Sequence, residues 1–329
     1  MLYDNDPWLN PFKDAITARH ERILAAKKSI APGGKLFDAA NNHLYYCLHK
    51  EDGCWVFREW APSATKIYLT GDFNGWKKSD AYALRPIGGG SWELRVPEAR
   101  IEPGSLYKWL VEWPGGSGER IPAYATRCVQ DPSTKLFSAQ VWAPEEPYQW
   151  HCNDPVKIDN PLIYETHIGM SSEKEGVASF AEFREEVLPR IIDLGYNTIQ
   201  IMALQEHPYY GSFGYQVSNF YALSSRYGTP EEFKALVDEA HSHGIAVIMD
   251  LVHSHAVKNE LEGLSRLDGS YTTYFHEGAR GQHPAWDSRC FDYGKRETIY
   301  FLLSNCKYWM EEYHLDGFRF DGVTSMLYL

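Results

Sequence analysis

The stretch TPEEFKALVDEAHSHGIAVIMDLVHSHA, residues 229–256, sets the architecture of the second half of the chain. Thr229 and Glu232 stand three apart as a capping box, and Pro230 takes the first helical position, where a missing N–H is harmless. Phe233, Leu236, Val237 and Ala240 then make one apolar stripe, and Gly244 supplies the stop. The next run, Ala246 to Val252, is apolar except for Asp250. A strand apolar on both faces must be covered on both, which points to a parallel sheet flanked by helices.

The same rhythm extends in both directions. LIYETHIG (162–169) reads as a strand, FAEFREEVLPRIIDLGY (180–196) as a helix and TIQIMAL (198–204) as a strand. Beyond residue 256, ETIYFLLSNCKYWMEEYHL (297–315) reads as a helix and GFRFDGV (317–323) as a strand. Four strands alternating with three helices, with long loops after the strands, predict a (β/α)8-type barrel rather than an open sheet. Residues 161–329 number roughly 170, against about 250 for eight strands. The barrel is therefore expected to be truncated after about four strands.

Upstream the pattern changes. Residues 1–35 predict a helical arm, with Phe12, Ile16, Ile23 and Leu24 near helical spacing and a stop at Pro32-Gly33-Gly34, expected to pack on the neighbouring domain. Residues 36–145 hold short aromatic-rich runs such as WVFREWA, KIYLTGDF and YKWLVEW between Gly, Pro, Asn and Asp turns, the mark of a small β-sandwich. A tight Asn74-Gly75 turn presents Trp76. Residues 146–160, rich in Pro and acidic residues and without periodicity, read as a linker. The fold class is thus multidomain, β followed by α/β.

Composition narrows the function. Aromatics make up 15% of the chain, with 11 Trp and 22 Tyr, flat faces that suit sugars, bases or partner surfaces. A formal charge of −12 argues against nucleic acid, which requires a basic surface. The N-terminus has early acidic residues and no long apolar run, so neither a signal peptide nor a membrane span is expected, and a cytoplasmic location is. The six cysteines show no metal-ligand spacing and are expected as free thiols in or near the core.

Reactive side chains of a β/α barrel sit at the C-terminal strand ends and on the loops beyond them. Arg319 and Asp321, two apart on a strand, share a face, so the guanidinium would keep the carboxylate ionised, either as a nucleophile or as a structural ion pair. Asp316 reads as a solvated loop residue. Asp250, a charge inside an apolar strand, requires a partner, and Arg319 is the natural one, which makes Asp250 an orienting residue. His255 either donates to a substrate hydroxyl or completes the loop. His253 and His255 lack an evident third metal ligand. In YYGSFGYQVSNFYA (209–222), Tyr215 is the expected sugar platform.

AVIMDLVHSH followed by DGFRFDGV resembles two ordered motifs of the α-amylase superfamily. Together with YYGSFGYQ, and with Ser254 where most amylase relatives carry Asn, the likeness is to 1,4-α-glucan branching enzymes and covers nearly all of 161–329. WAPSATKIYLTGDFNGW through YKWLVEW resembles the glycogen-binding sandwich of branching and debranching enzymes. The resemblance implies Asp321 as nucleophile, Arg319 as its partner, Asp250 as the orienting carboxylate, and His255 and Tyr215 lining the subsite at the scissile bond. It places Trp76 and Lys108 on glucan-contacting positions and implies an α-glucan partner (glycogen, amylose or amylopectin), with no metal or organic cofactor. The implied reaction is retaining transfer of an α-1,4 chain to a 6-hydroxyl. The superfamily's acid/base Glu lies beyond the nucleophile strand and past Leu329, so the resemblance implies the N-terminal portion of a longer enzyme, inactive alone. A debranching hydrolase or a non-catalytic glucan-binding protein would share these features.

Overall fold

The computed structural model describes residues 1–328. The N-terminal arm is a helix, α1 (Lys13–Ile30), preceded by two 3-10 turns, but it does not pack as expected: no residue of α1 is buried, and Ile23 and Leu24 are exposed. His20 and Lys27 occupy the turns that would have extended the apolar stripe, which leaves too little surface to bury. The arm is tied at its end, where the Ile30 carbonyl accepts from the Tyr300 hydroxyl at 2.9 Å. Two short helices, α2 (Leu36–Ala39) and α3 (Asn42–Tyr45), come next. Their sequence places them with the sandwich. They dock instead on the last long helix of the barrel, the Asn42 amide donating to Ser304 Oγ at 3.0 Å.

The sandwich has nine strands: β1 (Cys47–Glu51), β2 (Cys54–Trp60), β3 (Lys66–Gly71), β4 (Arg85–Gly88), β5 (Ser91–Pro97), β6 (Leu106–Trp113), β7 (Gly116–Arg120), β8 (Cys128–Gln130) and β9 (Phe137–Gln140). One sheet runs β1-β2-β5-β4 and the other β3-β6-β9-β8, with β7 added beside β6. Alternation on β6 shows how the faces are chosen: Tyr107, Trp109 and Val111 point into the core, and Lys108 points out. Between this core and the barrel lies the buried carboxylate of Glu59. It accepts from the amides of Trp60 and Ala123 and from the Trp109 indole, and burial, opposed by those bonds, pushes its pKa up to about 7.

The second half carries parallel strands β10 (Ile163–Thr166), β11 (Thr198–Ile201), β14 (Ala246–Leu251) and β18 (Gly317–Phe320), paired in that order, so spatial order is chain order. This is the arc of a partial barrel. Two excursions from the strand ends form small antiparallel sheets: β12 (Gln205–Glu206) with β13 (Asn219–Leu223), and β15 (Ala256–Val257), β16 (Gln282–His283) and β17 (Ser288–Arg289) in the order 15-17-16. Ile199, Val247, Met249 and Leu251 are buried on the sheet, against Phe233, Leu236 and Val237 of α6 (Pro230–Ser242) and Phe301 and Trp309 of α7 (Arg296–Tyr313).

The helix expected over 180–196 is broken into α4 (Phe180–Glu182), a π-turn (Phe183–Val187) and α5 (Leu188–Asp193). Pro189 has no N–H and its ring collides with the carbonyl four residues back, so the turn before it widens. α6 matches its reading: the Glu232 amide donates to Thr229 Oγ1, the Glu232 carboxylate accepts from the Thr229 amide at 2.7 Å, and Gly244 adopts φ 68° past the end. A last helix, α8 (Val323–Tyr328), comes after β18.

The sandwich docks on the loop after β15. Ser63 N donates to Asp268, Phe137 N donates to Glu262, and Arg120 Nε donates to the Arg266 carbonyl. The linker is held from the barrel side by two carboxylates. Asp238 accepts from the amides of His151 and Cys152 and from the Tyr148 hydroxyl. Asp316 accepts from the amides of Val156 and Val247, both at 2.7 Å, and lies 2.9 Å from His241 Nε2. Asp316 is therefore not a solvated loop residue: its side chain is 4% exposed, because three donors converge on it. All six cysteines are free thiols, Cys54, Cys152 and Cys306 only partly buried.

Candidate active site

Parallel pairing of β14 with β18 places Asp250 opposite Arg319. Arg319 Nη1 is 3.1 Å from Asp250 Oδ2 and 2.8 Å from Asp321 Oδ1, so one guanidinium edge joins the two carboxylates. Their surroundings separate them. Asp250 is fully buried and held by three donors, accepting from Gln200 Nε2 at 2.9 Å and from the Tyr215 hydroxyl at 2.6 Å in addition to Arg319. Burial holds its carboxyl above the ordinary carboxylate value, opposed by the Tyr215 bond and the Arg319 charge. The Asp321 side chain keeps 23% exposure, and its engaged oxygen is met by Arg319 alone among the described residues.

The backbone at Asp321 is tightly defined. Its amide continues the strand ladder to the Leu251 carbonyl at 2.9 Å. Gly322 then turns at φ 64°, and a Cβ there would lie 2.5 Å from Ser254 Oγ, so only glycine lets the chain pass this close. Ser254 is thus part of the wall beneath the carboxylate.

The remaining candidates fall in two places. Tyr215 is half-buried with its hydroxyl committed to Asp250, and burial together with that carboxylate pushes its pKa up. His255 is buried with both ring nitrogens engaged, Nε2 at 2.8 Å from the Tyr215 carbonyl and Nδ1 at 2.9 Å from Ser254 Oγ, so it holds the loop and has no ring nitrogen left to offer. Burial lowers its pKa. His253 turns away to Asn305 Oδ1 at 2.9 Å, its pKa brought down to about 4 by burial, so the two histidines do not converge on one point. Trp76 and Lys108 lie together on the sandwich. The Lys108 ammonium is 6.0 Å from the centre of the Trp76 ring and 3.3 Å from Glu119, and the Trp76 indole donates to Asp72 at 3.0 Å.

Two side chains at the strand ends escaped the sequence reading. Gln200, a polar residue inside the apolar run TIQIMAL, carried the same signal as Asp250. Trp286, on the β16–β17 turn, had none, because its segment has no periodicity. Its ring centre lies 4.9 Å from that of His255.

Known proteins match this layout. The carbohydrate-binding module 48 (isoamylase N-terminal domain) family matches residues 46–132, and the alpha-amylase catalytic domain family matches residues 185–295. A 1,4-alpha-glucan-branching enzyme of Yarrowia lipolytica is 47% identical over 98% of this chain and 48% of its own length. By sequence, this chain is similar along its whole length to 1,4-alpha-glucan-branching enzymes. Those from Solanum tuberosum and Felis catus are each 44% identical, over 100% and 99% of the chain and over 40% and 48% of their own lengths. The chain thus spans about half the length of the curated branching enzymes it matches. A solved structure titled as a putative alpha amylase from Salmonella typhimurium superposes with a TM-score of 0.70, covering 86% of this chain and 44% of that one. At 24% identity, that likeness speaks for the fold.

Proposed function

We propose that the chain carries the nucleophile half of a glucan-branching site. Asp321 attacks the anomeric carbon of an α-1,4 bond, forming a covalent glycosyl ester as the bond to the leaving 4-oxygen breaks, and the 6-hydroxyl of a second glucan chain then displaces the carboxylate, giving its proton to the group that protonated the 4-oxygen, to form an α-1,6 branch. The observation that carries the reading is the asymmetry of the two carboxylates on Arg319: Asp250 is sealed and held by three donors, whereas Asp321 is held by one cation and reaches solvent. The leaving oxygen must take up a proton, and Asp250, which accepts three hydrogen bonds, is not placed to give one. The four-strand arc by itself is therefore expected to lack branching activity.

The test bypasses that proton. A 5-fluoro-α-glucosyl fluoride brings a leaving group that departs without acid assistance, so the chain should gain one fluoroglucosyl mass on the peptide containing Asp321, and Asp321→Asn should gain none. A label on any other carboxylate, or none on the native chain, rejects the assignment. A second reading, glucan binding without chemistry, draws on the exposed Trp76 ring with the partly buried Lys108 beside it and would survive that rejection if Trp76→Ala alone abolished retention in a glycogen gel.

A further inference from the structure

Trp286 stands where three loops meet beside Asp321. Its carbonyl accepts from Gln216 Nε2 at 2.8 Å, on the loop after β12, and from the Ser288 hydroxyl at 3.2 Å, on its own hairpin. Its indole lies flat against His283, with ring centres 4.0 Å apart and planes 3° from parallel, and His283 Nε2 is anchored to Ser325 Oγ at 2.9 Å on α8. A Cβ at Gly322 would lie 3.1 Å from Trp286 Cη2, so the ring edge reaches the residue next to Asp321. The next residue, Asp287, is held at φ 46°, a left-handed conformation uncommon for a non-glycine residue, with Lys258 Nζ 2.5 Å from its carboxylate.

Such a fixed ring needs an explanation that packing does not provide. Trp286 belongs to neither hydrophobic core and keeps 39% exposure. Among the described residues its indole N–H has no hydrogen-bond acceptor, whereas Trp76 gives its N–H to Asp72. One face rests on His283, and the exposed remainder offers an aromatic surface and a free donor. That pairing suits a pyranose, whose C–H face stacks on an aromatic ring while its rim of hydroxyls accepts hydrogen bonds.

We propose that the Trp286 indole is a stacking platform, additional to Tyr215, for a glucose ring of an α-1,4-glucan chain beside Asp321. The proposal rests on the glucan reading and adds the residue that grips the sugar. The experiment is calorimetric titration of the chain with maltoheptaose, alongside Trp286→Ala, Trp286→Phe and Trp76→Ala, with a thermal melt of each. Trp286→Ala should weaken binding about tenfold and Trp286→Phe should restore most of it, with unchanged melting temperatures. Native affinity in Trp286→Ala overturns the platform and leaves the glucan reading standing. Loss of binding in both Trp286 variants together with lowered melting shows a structural role and also overturns it. No binding by the native chain overturns both readings.

Discussion

Replacing Asp316 with alanine should cost far more than its position before a strand suggests. The carboxylate receives the amides of Val156 and Val247 and faces His241 Nε2, with its side chain 4% exposed. Alanine leaves two main-chain N–H groups and one ring nitrogen without their acceptor. A buried polar group stripped of its partner costs about 1–3 kcal/mol, and water entering the vacated volume recovers part of it, so the expected loss is about 3–5 kcal/mol. A domain's whole stability is about 5–15 kcal/mol, so about a fifth of it or more is at stake. Urea unfolding followed by far-ultraviolet circular dichroism measures this, with the exposed Asp193→Ala as control. The Val156 amide ties down the linker, so Asp316→Ala should also speed proteolytic cleavage within 146–160. Asp316→Asn, which keeps one acceptor oxygen, should fall between. A loss of about 0.5 kcal/mol or less, the range of an ordinary surface substitution, would refute the reasoning.

Thr229→Ala removes the acceptor for the Glu232 amide at the start of α6 and should cost about 1 kcal/mol by chemical denaturation, with Thr229→Ser close to native. Burial works against ionising Asp238, but hydrogen bonds from His151, Cys152 and Tyr148 outweigh it and hold the carboxyl well below the usual range. A lowered folded pKa gives stability that is complete above the unfolded value of about 3.9 and is lost as pH falls through the folded one. The advantage of the native chain over Asp238→Asn should therefore shrink below about pH 4 in acid titrations of unfolding, and an advantage that stays constant down to about pH 2 would contradict it.

What the sequence made legible was whatever repeats or interrupts a repeat. α6 and β14 could be read nearly to the residue, because capping, stripe and stop all act within one turn or two. Asp250 stood out as a charge in an apolar strand, and Gln200 carried the same mark in a weaker form. Asp316 was misjudged because its donors, Val156, His241 and Val247, are 69 or more residues away, and no local spacing records them. Residues 36–45 carry a helical signal too short to read, and their place is set by contact with α7. Trp286 was silent for a related reason: its meaning lies in Gln216, His283 and Gly322, brought together only by the fold.

The chain-order arrangement of β10, β11, β14 and β18 bears on how the molecule comes into being. Each strand docks on the edge left by its predecessor, so a chain emerging from its N-terminus meets every pairing surface already laid down, with no slot to reopen. Contacts outside the sheet do wait, among them the linker's, whose Val156 amide must wait for Asp316, about 160 residues later. Arrival of β18 therefore brings Arg319 to Asp250 and fastens the linker in the same event. In a nascent chain the joint between the two domains and the charge pair at the strand ends would become rigid together.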